Sequence, residues 1–260
     1  MERSIGERAE LERRVRELGP WFYEFGLGGG LHTECKIEPE VARIHETRRR
    51  MIETFLRERY GEHLAGLRAL DLGCHEGYFS MLLAELGASE VVGVDVRPES
   101  LEKAAFVARA MGHGGLTFVT ADCEELDRHV RGPFDLCLCV GLLYHLENPI
   151  RCLRQAAALT RDAIVVETQV VDEVEGSTEW GRKESRMPYR GVFALVDETP
   201  AFRRGSVEAG GTPLALCPSP NALHAVLRSI GFTRTTTLVP PPDGYEQLVR
   251  GKRVVVAGWR

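Results

Sequence analysis

Apolar positions along the chain follow two successive patterns. Up to about residue 60 the spacing is helical: Leu11, Val15 and Leu18 share one face of a charged segment over residues 2–18 that Gly19-Pro20 ends. Val41, Ile44, Met51, Ile52 and Phe55 mark a second helix over about Pro39 to Tyr60. From Leu67 onward, short apolar runs near 68–72, 90–95, 116–120, 134–140 and 163–169 alternate with helical stretches near 77–87, 98–111, 123–130 and 148–160. Strands separated by helices pair in parallel, because the crossover carries the chain back to the end where the previous strand began. The alternation therefore predicts a doubly wound α/β sheet with helices on both faces. The rhythm stops over residues 171–217 and resumes with a helix over about Pro220 to Ile230 and strands near 232–239 and 252–259. Pro240-Pro241-Pro242-Asp243-Gly244 is a turn signal, so the last two strands are expected as an antiparallel hairpin at the sheet edge. Four segments follow: a helical cap or lid (1–60), an α/β core (61–170), an insertion for substrate binding or dimerisation (171–217), and a helix with strands completing the core (218–260).

Composition changes this picture little. The longest run free of charged or polar side chains and proline, Leu136 to Tyr144, is about half of what a bilayer-spanning helix needs. Met1 to Leu18 alternates Glu and Arg without an apolar stretch, so no secretory signal is expected and the chain is read as cytoplasmic. The net charge of -5 argues against a general electrostatic grip on nucleic acid. Only Lys36, Lys103, Lys183 and Lys252 among the 33 basic residues are lysine, an imbalance that a GC-rich genome produces. Cys137, Cys139, His145 and Cys152 lack the spacing of a zinc ribbon or finger, and the first two fall in an apolar run, so they read as buried thiols.

The chemistry concentrates at strand ends. Asp71-Leu72-Gly73-Cys74-His75-Glu76-Gly77 closes the first core strand and opens a helix. It differs from a dinucleotide fingerprint in having His75 at the middle glycine position. Asp71 also places a carboxylate where a pyrophosphate would be repelled but an ammonium or sulfonium would be welcome. S-adenosylmethionine carries both cations and no phosphate. On this reading Asp71, Gly73, Cys74 and Gly77 shape the pocket for its amino-acid part, and Asp95, followed by Val96, accepts from the ribose hydroxyls. Asp122 and Cys123 meet the adenine with a carboxylate and a backbone N–H. Asp122 as a helix cap and Asp95 as a turn residue are the competing structural readings.

These residues, with Gly93-Val94-Asp95 and Phe134-Asp135-Leu136, resemble the motif series of class I S-adenosylmethionine-dependent methyltransferases. Gly141-Leu142-Leu143-Tyr144-His145, Glu147-Asn148-Pro149 and Val166-Glu167-Thr168 are similar to the branch containing the tRNA wobble-uridine carboxymethyltransferase and bacterial sugar O-methyltransferases. Trp21-Phe22-Tyr23 and Gly28 to Thr33 resemble it too. The resemblance implies a Rossmann-like seven-stranded methyltransferase sheet, mostly parallel, with Val140, Tyr23, His32 and Thr33 joining the cofactor site.

Methyl transfer to a hydroxyl needs alignment and a base. His145, directly after the fourth core strand, is the expected general base, with Tyr144 orienting the acceptor and Glu167 binding the acceptor or polarising His145. Magnesium held by Glu167 with Asp172 or Glu173 is a further expectation, although no spacing demands it. Gln169, Trp180, Arg186 and Tyr189 are candidate substrate contacts, and Arg182, Arg186 and Arg190 recur every four residues where an anionic acceptor would bind. The expected activity is O-methylation of a small molecule, a sugar or glycoside before others. A tRNA-modifying alkyltransferase and a non-catalytic cofactor-binding partner protein are the alternatives.

Overall fold

The computed structural model describes residues 5–179, 186–203 and 212–260. Its centre is one seven-stranded sheet built from β1 (Arg68–Leu72), β2 (Glu90–Asp95), β3 (Leu116–Thr120), β4 (Phe134–Val140), β5 (Thr160–Gln169), β6 (Arg234–Thr237) and β7 (Arg253–Trp259). The strand order is β6-β7-β5-β4-β1-β2-β3, so the order reverses between β1 and β4. β1 to β5 pair in parallel, whereas β7 runs antiparallel to both β5 and β6.

Side chains of a strand alternate faces, and here both faces are covered. Leu70, Leu72, Cys137 and Cys139 point to one side, where α5 (Pro149–Leu159) and α6 (Pro220–Ser229) bring Leu153, Ala156, Leu223 and Leu227. Ala69, Leu136, Leu138 and Val255 point to the other, against Ile52, Phe55 and Leu56 of α2 (Pro39–Tyr60) and Leu82 and Leu83 of α3 (Tyr78–Glu85). A third cluster joins Phe106 and Val107 of α4 (Pro98–Met111) to Trp21, Tyr23, Phe25 and Leu27, with Leu11 and Val15 of α1 (Ile5–Leu18) against it. Proline opens α2, α4, α5 and α6, where its missing N–H would have had no helical partner.

One expected element is corrected, and two details are added. The helix near 123–130 is a 3₁₀ turn, Cys123–Glu125, followed by a single turn, Leu126–His129, because Asp122 caps so close to the Gly132-Pro133 break. The C-terminal strands pair antiparallel at the sheet edge as expected, and residues 238–252 between them hold the expected turn, with Gly244 N donating to Pro241 O (2.8 Å), and also a short helix, Glu246–Val249. The strand at the edge, β6, runs with the core, and the antiparallel β7 is inserted inside it. Within 171–217, where no periodicity was legible, two antiparallel ladders form: Glu175–Ser177 with Pro188–Arg190, and Phe193–Asp197 with Leu214–Pro218. The second is fastened to the core by hydrogen bonds from Leu216 N to Leu146 O and from Val171 N to Pro218 O. All seven cysteines are free thiols, and all but Cys35 are buried. Among the described residues no helix is long and apolar enough to cross a membrane.

Candidate active site

At the C-terminal ends of β1 to β4, around the switch in strand order, lies a pocket of about 370 Å³. Open α/β sheets bind ligands at this place. The turn after β1 is held by Cys74 N donating to Val94 O (3.0 Å) and His75 N donating to Asp95 Oδ2 (3.0 Å). Gly73 and Gly77 sit at φ 67° and 82°, in the left-handed region that glycine enters without strain. A Cβ on Gly73 would stand 3.1 Å from Leu142 at the pocket wall, whereas one on Gly77 would meet Ala104 Cβ at 3.0 Å. Gly77 therefore serves helix packing and does not line the pocket.

Asp95 is 5% exposed; Oδ1 accepts from Arg97 N at 3.0 Å, which aims the carboxylate along the pocket rim. Asp122 Oδ1 accepts from Glu124 N (2.8 Å), so the residue caps its turn and lines the pocket together with Cys123. Val96 also lines it and is 54% exposed, a bare apolar surface beside two carboxylates. Val140 and Tyr23 complete the sequence-expected residues that reach the pocket. Two carboxylates flanking an apolar slot can accept from hydroxyl and amine groups such as those of an adenosine.

Other expected cofactor residues lie elsewhere. Asp71 is 1% exposed behind the turn, where Ser80 Oγ donates to it (2.7 Å). Burial pushes its carboxyl up to about 7, against the Ser80 hydrogen bond. Cys74 is buried under Gly93, whose absent side chain leaves room for it and for Phe118. Thr33 is a staple: its Oγ1 accepts from Phe25 N and donates to Tyr23 O, both at 2.8 Å, while His32 is exposed beside it. The roof segment so formed is tied down by Glu76 Oε2, which accepts from Phe22 N (2.9 Å) and Tyr23 N (3.1 Å), and by Lys103, 2.8 Å from Glu76 Oε1.

The chain leaves β4 through Gly141 (φ 74°) into a short turn, Leu143–His145. His145 Nδ1 stands 3.0 Å from Glu198 Oε1, with Glu198 6% exposed. The Tyr144 ring is 4.2 Å from the His145 ring and carries the Arg253 guanidinium 4.6 Å from its centroid. Glu198 was missed in the sequence because it lies 53 residues away, in the stretch without periodicity.

Glu167, expected to contact acceptor or metal, is fully buried between Arg253 (Nε to Oε1, 2.7 Å) and Arg48 (Nη2 to Oε2, 2.8 Å). Burial alone would raise its pKa, but Arg253 and then Arg48 outweigh that and hold it below the ordinary carboxylate value. Asp172 pairs with Lys252, and Glu173 accepts from Asn221 N. Among the described residues no group of three or more His, Cys, Asp or Glu side chains is arranged to hold a metal. Gln169 is exposed, Tyr189 lies against Gly176 in the outer ladder, and Arg186 pairs with Glu179 on the surface, so none of the three lines the pocket. Trp180 and Arg182 lie outside the described residues. Thr212, not anticipated, does line it.

Comparison with known proteins agrees with this geometry. A family profile described as a methyltransferase domain matches residues 63–189. The fold superposes on the N-terminal domain of EvdMO1, solved in the presence of S-adenosylhomocysteine and D-fucose, with a TM-score of 0.71, 25% identity and 99% of each chain covered. It also resembles magnesium protoporphyrin IX methyltransferase from Synechocystis PCC 6803, with a TM-score of 0.55 at 16% identity over 98% of this chain and 95% of that one. By sequence, the tRNA U34 carboxymethyltransferase of Shewanella baltica is 29% identical over 184 residues, covering 67% of this chain and 50% of that protein. The ubiquinone biosynthesis O-methyltransferase of Vibrio parahaemolyticus is 30% identical over 125 residues, covering 48% of this chain and 52% of that protein. The chain thus spans about half the length of the curated relatives it matches. Sheet, site and relatives together show a methyltransferase domain, folded as class I S-adenosylmethionine-dependent methyltransferases are, and they support S-adenosylmethionine as the cofactor of the pocket.

Proposed function

We propose that the protein methylates a hydroxyl of a small, sugar-like molecule, with His145 as general base and Glu198 as its positioning partner. The observation that carries this reading is the 3.0 Å contact between His145 Nδ1 and Glu198 Oε1 at the wall of the cofactor pocket. A carboxylate on Nδ1 fixes the proton there and leaves Nε2 as the basic nitrogen, and it stabilises the imidazolium once the acceptor's proton has moved. Bound S-adenosylmethionine supplies an electrophilic methyl group on a good leaving group, so the protein has to provide alignment and proton removal. Tyr144, held by Arg253, walls the acceptor against the base. Thr212, Glu147 and Asn148 give the same pocket hydroxyl, carboxylate and amide groups, the complement that a polyhydroxylated acceptor requires. The D-fucose used with the EvdMO1 domain supports a sugar as the first acceptor class to test.

A second reading, tRNA modification, is favoured by the 29% identity to the U34 carboxymethyltransferase. One experiment separates them: incubation with S-adenosylmethionine and a panel of mannosides, rhamnosides, glycerate glycosides, D-fucose and tRNA, with mass-spectrometric detection of the methylated product. Methylation within the sugar panel is expected. Transfer to tRNA alone would replace the sugar reading, and cofactor binding without any turnover would favour a non-catalytic partner role.

A further inference from the structure

Among the described residues, five buried side-chain nitrogens have no hydrogen-bond partner, and four of them lie together: His45 Nδ1 and Nε2, Arg48 Nε and His75 Nδ1. His45 and Arg48 are one turn apart on α2, hence on one face of it, and are each 5% exposed. His75 follows the glycine turn of β1; its ring lies 4.9 Å from that of Phe22, which in turn lies 5.2 Å from His45. Tyr23 packs on the His45 ring at 4.4 Å. Arg48 and His75 line the cofactor pocket next to Gly73. Unsatisfied polar atoms in a protein interior each cost about 1–3 kcal/mol, and a group of them in one place calls for a reason.

The surrounding carboxylates do not provide it. Asp71 accepts from Ser80, and Glu76 is occupied by Lys103 and the roof N–H groups. Glu167 lies between its two arginines, and Asp95 accepts from His75 N and Arg97 N. Among the described residues, then, no carboxylate supplies the missing partner, and a ligand in the adjoining pocket can. Burial and then the Arg48 charge keep His45 neutral, and burial does the same for His75. A neutral imidazole offers one donor and one acceptor, and Arg48 Nε–H adds a donor. A zwitterion, with carboxylate oxygens and an ammonium, matches that set; a phosphate, which only accepts, would leave the imidazole acceptors empty.

We propose that His45, His75 and Arg48 recognise the α-amino-carboxylate end of S-adenosylmethionine. This inference rests on the cofactor assignment and gives that end to His75 and Arg48, which line the pocket, with His45 one turn from Arg48 on α2, in place of Asp71 and Gly77. It is tested by calorimetry with two probes, S-adenosylhomocysteine and 5′-methylthioadenosine, which share adenosine and sulfur while the second lacks the amino-acid end. His45→Phe, His75→Asn and Arg48→Lys should each weaken S-adenosylhomocysteine at least about tenfold and leave 5′-methylthioadenosine within about twofold. His45→Phe, which removes two unpartnered nitrogens from an aromatic cluster, should hold or raise the melting temperature of the free protein. Equal loss of both probes would show a packing role, and unchanged affinity for both would show no role; either overturns the proposal. Failure of the unaltered protein to bind S-adenosylhomocysteine would overturn the cofactor assignment itself, a distinct result.

Discussion

Asp71 holds a carboxyl group in the interior with a single hydroxyl donating to it. Its folded pKa of about 7 lies above the unfolded value near 3.9, so the stability present below about pH 4 is lost as pH rises toward 7, where ionisation becomes a cost of folding. Asp71→Asn should accordingly raise the melting temperature by several degrees at pH 8 and leave it unchanged at pH 4, as thermal melts across that range would record. At the reacting centre, His145→Ala should lower turnover at least about a hundredfold with S-adenosylhomocysteine affinity nearly intact. Glu198→Gln should lower turnover less and shift the pH profile, because the amide still bonds to Nδ1 but no longer stabilises the imidazolium. Steady-state rates over pH, read beside calorimetry, separate these outcomes from a folding defect. Asp95, Asp122 and His145 could be placed at the pocket from sequence because the first ends a recognisable strand and the other two follow one within five residues. Glu198 was not, since nothing local marks a residue whose only distinction is its partner across the fold. His45 was equally invisible, because a histidine on the apolar face of a helix reads as core until its nitrogens are found without partners.

Elements are joined most tightly where charge is buried. Glu167 on β5, Arg253 on β7 and Arg48 on α2 bind a parallel strand, its antiparallel neighbour and a covering helix at one point. In the β5–β7 ladder Arg253 faces Gln169 and Val255 faces Glu167, so the ion pair is a diagonal contact that a slipped register would break. Glu167→Gln leaves two guanidiniums facing each other without a counter-charge and should cost about 3–5 kcal/mol, seen as a lower urea midpoint at unchanged slope. Gly93, in the middle of β2, has no space for a Cβ: Phe118 would stand at 2.7 Å and the Cys74 sulfur at 2.9 Å. Gly93→Ala should therefore destabilise by about 1–3 kcal/mol in the same assay. The strands were readable because both faces are covered and apolar runs result. The inserted β7 and parallel edge β6 were not, because sequence periodicity reports a strand's exposure and not its direction or neighbour.

Over the whole molecule, the roof from Trp21 to Thr33 and the sheet share the pocket between them, with Glu76 and Lys103 as the fastening. Lys103→Met should speed hydrogen exchange at residues 21–25 and quicken cofactor release. Saturating S-adenosylhomocysteine should slow that exchange, since a ligand at one hundred times its dissociation constant stabilises by about 2.7 kcal/mol. The segment between β5 and α6 contributes Thr212 to the same pocket and Glu198 to His145. On the proposed function, choice of acceptor and strength of the base are inherited on the same stretch of chain. A graft that exchanges this segment for one shaped to another acceptor would import the new preference but arrive without an acid behind His145, unless the donor segment carries one at the corresponding place.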